Sequence, residues 1–409
     1  MSILIRIKMG KYLAFGYRSK KSKLKPTIIV ILLLIFLVVG GVILWRYKQT
    51  KTNITSKTNT SQNNNIPYQV DGKYLFSGTI VLSRDVARYA GSNYNQPFSQ
   101  MYTLGKYDAH IGVLECPITN NYDSFENEVQ NLVFNCQPAW VPTLKKYFPI
   151  LDLSSDHLND EGPQGIAETF ATLQQAGIQT VGTYNPASLS DDCKAIILPV
   201  RLIDKSDKVT SASLPIAICS YNYKELFSPQ PGQLQSIQKW SRLMPVIALF
   251  NHGLEYQLTA NSQTVAIAHQ MIDYGADFVI GNGTHWVQNT EVYKGKLIVY
   301  SMGNFIFDQI QYNGRIALNL SVAMTIKYNR NVERWISLSP ICLKQPENCL
   351  EYAQKEKLSK IKPSYTFSAV GSYGGDARVA TLANAQQQAA IDSIANWQST
   401  ERLLTKSTN

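Results

Sequence analysis

Phe278-Val-Ile-Gly-Asn-Gly-Thr-His285 is an apolar run that stops in a polar cluster ending in histidine. The arrangement recurs along the chain. Residues 110–114 stop at Glu115, and residues 149–153 stop at Ser154-Ser155-Asp156-His157. Residues 246–250 stop at Asn251-His252-Gly253, with Glu255 just beyond, and the run 74–82 is interrupted by Gly78-Thr79. Short apolar runs bounded in this way read as buried strands, and 180–182, 216–220 and 297–300 are three more. Helical periodicity lies between some of them. One helix starts at Gly162-Pro163 and ends at Gly177, with Ile166, Phe170 and Leu173 on one face. A second covers about 262–274 and stops at Gly275, with Val265, Ala268 and Ile272 on a stripe. Alternating strands and helices predict an α/β core of buried, mostly parallel strands. Farther on the pattern turns antiparallel. A hairpin is expected around Lys294-Gly295, and 316–328 and 335–343 read as further β segments.

In open α/β sheets, ligand sites lie beyond the carboxyl ends of the strands. Three of the five histidines occupy such positions. Taken singly, each cluster reads as an ordinary polar loop opening the next turn. Taken together, imidazoles and carboxylates after several strands point to one shared site, and their chemistry suits a divalent metal. The remaining histidines are weaker candidates. His269 lies inside the second helix, where a packed residue is expected, and His110, five residues before Glu115, faces the other side of its strand. Gly281-Asn-Gly-Thr lacks the lysine and the glycine spacing of a Walker loop.

The 409 residues are 44% hydrophobic and 17% charged, enough for one or two cores, which excludes a disulfide-held miniprotein or a wholly disordered chain. The net charge of +10 suggests a nucleic-acid binder until it is located. Residues 1–26 hold eight basic residues and no acid, and 46–57 hold four more, so the rest of the chain carries −2. The globular part has no strong net field for polyanions such as nucleic acid. Between the basic blocks, residues 27–45 contain no charge and span about 28 Å as a helix, close to the hydrocarbon thickness. Trp45-Arg-Tyr-Lys48 comes next, in the manner of an interfacial anchor rather than a signal-peptidase site. The expected layout is a basic cytoplasmic tail (1–26), a membrane helix (27–45), a flexible Asn/Thr/Ser-rich linker (46–70), a globular domain (71–343) outside the membrane and a C-terminal extension (344–409) with a final helix near 382–397. All six cysteines fall on the outer side, where an even count fits disulfides. Cys342 with Cys349, Cys116 with Cys136 and Cys193 with Cys219 are the favoured pairs among fifteen pairings. Buried free thiols are the alternative.

Phe76-Ser-Gly-Thr-Ile-Val-Leu-Ser-Arg84, Asp108-Ala-His-Ile-Gly-Val-Leu-Glu-Cys-Pro-Ile-Thr119 and Leu153-Ser-Ser-Asp-His-Leu-Asn-Asp-Glu-Gly162 resemble successive motifs of the CapA-like capsule-biosynthesis (poly-γ-glutamate synthesis) family. So do Asn251-His-Gly-Leu-Glu-Tyr256, Gly275-Ala-Asp-Phe-Val-Ile-Gly-Asn-Gly-Thr-His285 and Tyr300-Ser-Met-Gly-Asn-Phe-Ile-Phe-Asp308. The resemblance covers roughly 72–310 in order. It implies a calcineurin-like, metallophosphatase-type β-sandwich flanked by helices, with metals at the strand ends.

The departures fall on the chemistry. The family's first-strand aspartate is Thr79 here, its asparagine before Leu114-Glu115 is Val113, and its two asparagines before His157 are Ser155 and Asp156. Its H-W-G histidine is Asn251, and of G-H-H-P-H only His285 survives. A neutral threonine cannot bridge two ions as a carboxylate does. The resemblance then implies Glu115, Asp156, His252 and His285 as ligands of one divalent ion of the Mn, Mg or Zn type, with too few groups for a dinuclear centre. It implies His157, with Asp156, as the acid toward a leaving oxygen, and Asn251, Asn282 and Asn304 as substrate contacts. Two classes of function stay open. One is a metal-dependent hydrolase or phosphoesterase in capsule or cell-surface polymer synthesis. The other is an inactive member that binds an anionic polymer, or its synthesis machinery, at the membrane surface.

Overall fold

The computed structural model describes residues 66–121, 124–184, 193–223 and 228–407. The expected tail, membrane helix and nearly all of the linker lie outside these residues. Among the described residues, no helix is long and apolar enough to cross a membrane.

The strands are β1 (Pro67–Ile80), β2 (Ala109–Leu114), β3 (Ile150–Asp152), β4 (Gln179–Val181), β5 (Cys193–Asp204), β6 (Val209–Asn222), β7 (Val246–Asn251), β8 (Phe278–Asn282), β9 (Thr290–Tyr293), β10 (Lys296–Val299), β11 (Asn304–Ile306), β12 (Ile316–Lys327), β13 (Ser364–Gly374) and β14 (Ala380–Leu382). They join in the order β14-β13-β12-β1-β5-β6-β7-β8-β10-β9, with β2, β3 and β4 branching from β1 and β11 also pairing with it. The long β1 is the junction. Its first half pairs antiparallel with β12 and β5, and its second half pairs parallel with β2 and β11. β1 to β4 are mutually parallel, as are β6, β7, β8 and β10.

Alternation along β1 divides the core in two. Tyr74 and Phe76 join one apolar cluster, with Ile216, Ile218, Ile247 and Phe278. Leu75 points the other way, into a cluster with Leu144, Phe148, Leu151 and Leu173 beneath the helices Val141–Tyr147 and Gly162–Ala176. Phe76 meets Phe278 edge-on at 6.1 Å although β5, β6 and β7 separate their strands in the sheet order. The sheet therefore folds back over its own apolar face. The result is a mixed α/β fold, a large sheet flanked by helices.

The two expected helices form as Gly162–Ala176 and Ser262–Asp273. The Lys294-Gly295 turn has φ of 50° and 76°, the two left-handed residues of a tight hairpin between β9 and β10. The β segment expected at 335–343 is instead part of the helix Arg330–Lys344. Asn329 caps it through the Val332 amide, and Val332, Trp335, Leu338 and Cys342 are buried at helical spacing, which overrides β-favouring composition. The hairpin β5–β6 is far longer than the expected strand at 216–220, because Pro199 and Pro215, which argue against interior strands, are accommodated opposite Ser213 and Ile197. Beyond residue 344 the sheet continues. β13 pairs with β12 from Ile316 opposite Tyr373 to Thr325 opposite Ser364, and two helices, Ala385–Ala395 and Trp397–Ser407, stand where one was expected. The three disulfides are Cys116–Cys136, Cys193–Cys219 and Cys342–Cys349, as the favoured pairing has it.

Candidate functional site

Parallel strands end side by side, so the residues just past their carboxyl ends are brought together. Thr79 lies near the end of β1, and Glu115 comes directly after β2. Both are fully buried, and the Thr79 hydroxyl donates to Glu115 Oε2 at 3.2 Å. Asn282, closing β8, donates from Nδ2 to Thr79 Oγ1 at 2.6 Å. Three residues on, His285 lies with Nε2 3.8 Å from Glu115 Oε1 and 3.7 Å from Glu255 Oε1. Its Nδ1–H donates to Asn304 Oδ1 at 3.0 Å, and Asn304 Nδ2 donates to Gln309 Oε1. One polar chain thus runs from β8 through β1 and β2 to the loop after β11.

Beside it opens a cleft of about 390 Å³, lined chiefly by Arg84, Phe134, His157, His285, Phe307 and Gln309. His157 stacks on Phe134 at 3.9 Å and donates from Nδ1 to Asp160 Oδ2 at 2.8 Å. The Arg84 guanidinium lies over Phe134 at 4.3 Å and over Phe307 at 5.2 Å. His285 is 5.0 Å from Phe307 and stacks with Tyr256 at 5.7 Å. Cationic or imidazole groups therefore alternate with aromatic rings along the wall. Arg84, Tyr256 and His285 hold φ of 47°, 59° and 61°, a left-handed conformation unusual for residues with side chains. Such conformations cost on the order of 1–3 kcal/mol each and persist where the surroundings enforce them, often at functional sites.

The electrostatics derive from burial and proximity. Burial pushes the Glu115 carboxyl up, against the pull of neighbouring His285. Burial alone would lower His285, but the Glu115 and Glu255 carboxylates and the bond to Asn304 outweigh it and raise the imidazole to about 9. The His285 imidazole, 3.7 Å away, holds Glu255 below the ordinary carboxylate range. His157 is raised: burial opposes its charge, but the Asp160 bond and the Glu115 charge win.

The structure brings some of the expected site residues together and not others. Glu115, His157 and His285 meet around the cleft. Asp156 opens the turn Asp156–Asn159 and acts on Glu115 and His157 through its charge. His252 is buried, with Nδ1 2.9 Å from Thr264 Oγ1 in the helix Ser262–Asp273. Asn251, Asn282 and Asn304 are also buried and do not line the cleft. Asn304 instead orients His285. Among the described residues, no three His, Cys, Asp or Glu side chains are placed to hold a metal ion. Thr79 uses its hydroxyl within the polar chain, and His285 meets the carboxylates at ion-pair distances. The side chains of Glu115, Asp156, His252 and His285 do not form the donor set that a Mn, Mg or Zn-type ion requires. Phe134 and Gln309 escaped sequence reasoning, since isolated aromatic and amide residues carry no spacing signal, whereas Phe307 lay within the motif segment ending at Asp308. Arg84 and Glu255 were visible at the ends of motif segments.

Stability should depend on pH through His285. Its folded pKa lies above the ordinary 6.5, so its contribution is complete below about pH 6.5 and is lost as pH rises through about 9. Urea unfolding of the wild type and of His285→Gln across this range should show the stability gap narrowing as pH rises. A gap that stays constant would mean that the imidazole is not held protonated.

The family model for "Bacterial capsule synthesis protein PGA_cap" matches residues 73–309. A PGA biosynthesis protein CapA of Bacillus subtilis (strain 168) is 28% identical over 250 residues, covering 57% of this chain and 63% of that protein. The chain thus spans less than two thirds of that relative's length. A capsule biosynthesis protein CapA of Bacillus anthracis is 24% identical over 311 residues, 73% of this chain and 72% of that one. Among solved structures, TT1561 of Thermus thermophilus overlaps 61% of this chain and 93% of its own, at a TM-score of 0.33 and 10% identity, too slight a likeness to support an assignment.

Proposed function

Because the chain belongs to the bacterial capsule synthesis protein PGA_cap family, we propose that it serves cell-surface polymer synthesis by binding an anionic, poly-γ-glutamate-type polymer in the cleft. The observation that carries this reading is the wall of alternating Arg84, His157 and His285 with aromatic rings, built at the meeting point of the parallel strands. Such a wall offers donors for carboxylates and flat apolar faces for the chain between them. The metallophosphatase-type sandwich belongs to the proposal too, supported by two sets of parallel strands whose ends meet at one site. Membrane attachment through residues 27–45, with the N-terminus cytoplasmic and the domain outside, is supported by the eight basic residues before that stretch. Three disulfides suit an oxidising compartment.

A metal-dependent phosphoesterase is the second reading. It is favoured by the mutual electrostatic influence of Glu115, Asp156 and His157. Full-length protein in detergent separates the two. Titration with fluorescent poly-γ-glutamate should show saturable binding that weakens with salt, and added Mn²⁺ should elicit no hydrolysis of a phosphoester substrate. Mn²⁺-dependent turnover without polymer binding would reverse the choice.

A further inference from the structure

We infer that Arg84 is the carboxylate-reading residue of the cleft, and that the cleft takes a short acidic segment or chain end rather than a long stretch of polymer. This rests on the polymer-binding reading and names the group that recognises the ligand. Arg84 is 9% exposed and lines the cleft. Its left-handed backbone is held by its amide, which donates to Glu128 Oε2 at 2.9 Å. Among the described residues, its guanidinium donates to Asp308 through Nη2, while Nε is buried and has no partner. A guanidinium has five donors, and leaving them desolvated and unused is costly. Phe134 and Phe307 lie against the group and hold its plane; of its two forked edges, Nε with Nη2 and Nη1 with Nη2, Asp308 takes a single hydrogen of Nη2 and leaves one edge complete.

A planar fork matches a carboxylate through two parallel hydrogen bonds. The surrounding charges are largely paired: Arg84 with Asp308, His157 with Asp160, and His285 with Glu255. Recognition therefore comes from directed donors, not from a net positive field. Gln309 and Gln311 in the lining suit the amide groups of a polyamide chain. At about 390 Å³ the cleft lies toward the small end of the roughly 300–1,000 Å³ typical of small-molecule sites, which sets the short length.

The test uses full-length protein in detergent with two fluorescent probes, a short oligo-γ-glutamate and its counterpart with the free α-carboxylates converted to carboxamides. Arg84→Gln should weaken binding of the acidic oligomer by about tenfold or more and leave the amidated one unchanged. Arg84→Lys keeps a cation beside Asp308, and hence the fold, but not the fork. It should recover only part of the loss. Thermal unfolding of each variant separates lost recognition from lost structure, and the lysine variant alone decides the matter if the glutamine variant unfolds. Acidic-oligomer affinity unchanged in both variants, or an equal loss for both probes, overturns the role of Arg84 and leaves polymer binding standing. Wild-type protein that binds long poly-γ-glutamate but not the short oligomer overturns the short-segment inference. Failure to bind either overturns the polymer reading along with it.

Discussion

Replacing Gly78 with alanine is expected to destabilise the domain by about 3 kcal/mol, the upper end for an over-packed site, and to abolish ligand binding. Gly78 sits on β1 where its pairing with β2 slips between Ser77 and Thr79. A Cβ there would lie 1.9 Å from the Gly303 carbonyl oxygen and 3.0 Å from its carbon. Both are backbone atoms, so no side-chain rotation relieves the clash, and β1 must separate from the chain at Gly303. The bond from the Thr79 amide to Gly303 O, 3.1 Å, would break first. Thr79 would carry Glu115 and Asn282 with it, because its hydroxyl links the two. Chemical denaturation and the polymer titration check both halves of the expectation. An alanine variant as stable as the wild type would show that the strand ends are not packed this closely.

Removing the Cys193–Cys219 bridge should cost about 3–4 kcal/mol, the largest loss among the three disulfides. The two half-cystines are buried, face each other across β5 and β6, and are 26 residues apart in sequence. The bridge restricts the unfolded chain more strongly the longer the loop it closes. Cys116–Cys136, at a separation of 20, should cost somewhat less, and Cys342–Cys349, at 7, the least. Denaturation of the three double-alanine variants gives the order directly. A reversed order would mean that packing around the sulfurs, and not loop closure, sets their contribution.

Much of the site could be read along the chain because each strand end carries its own signal. An apolar run stopping at Glu115, at Asp156-His157 or at Asn282 with His285 announces a buried strand and a polar turn without reference to any other part of the molecule. Arg330–Lys344 shows where such reading fails. Residues 335–343 read as a β segment along the chain, and the Asn329 cap and the buried face of Val332, Trp335 and Cys342 make the stretch a helix. His252 shows what position along the chain leaves out. Its position after β7 matched the pattern of the other histidines, but its ring meets Thr264 of the next helix.

The α/β class, the family and the strand ends that build the site were all legible along the chain, whereas the cysteine pairing was one favoured choice among fifteen that the three bridges match. The first three depend on periodicity, motif order and local turn chemistry, which short segments carry. It took the folded molecule to establish that Thr79 closes a hydrogen-bonded chain between Asn282 and Glu115, that His285 sits between two carboxylates, and that Arg84 shares its wall with Phe134 and Phe307. Some of those relations join residues more than two hundred positions apart, as Asn282 is from Thr79 and Phe307 from Arg84. They exist only once the sheet has folded back on itself, because the role of a buried polar group is set by the neighbours that burial gives it.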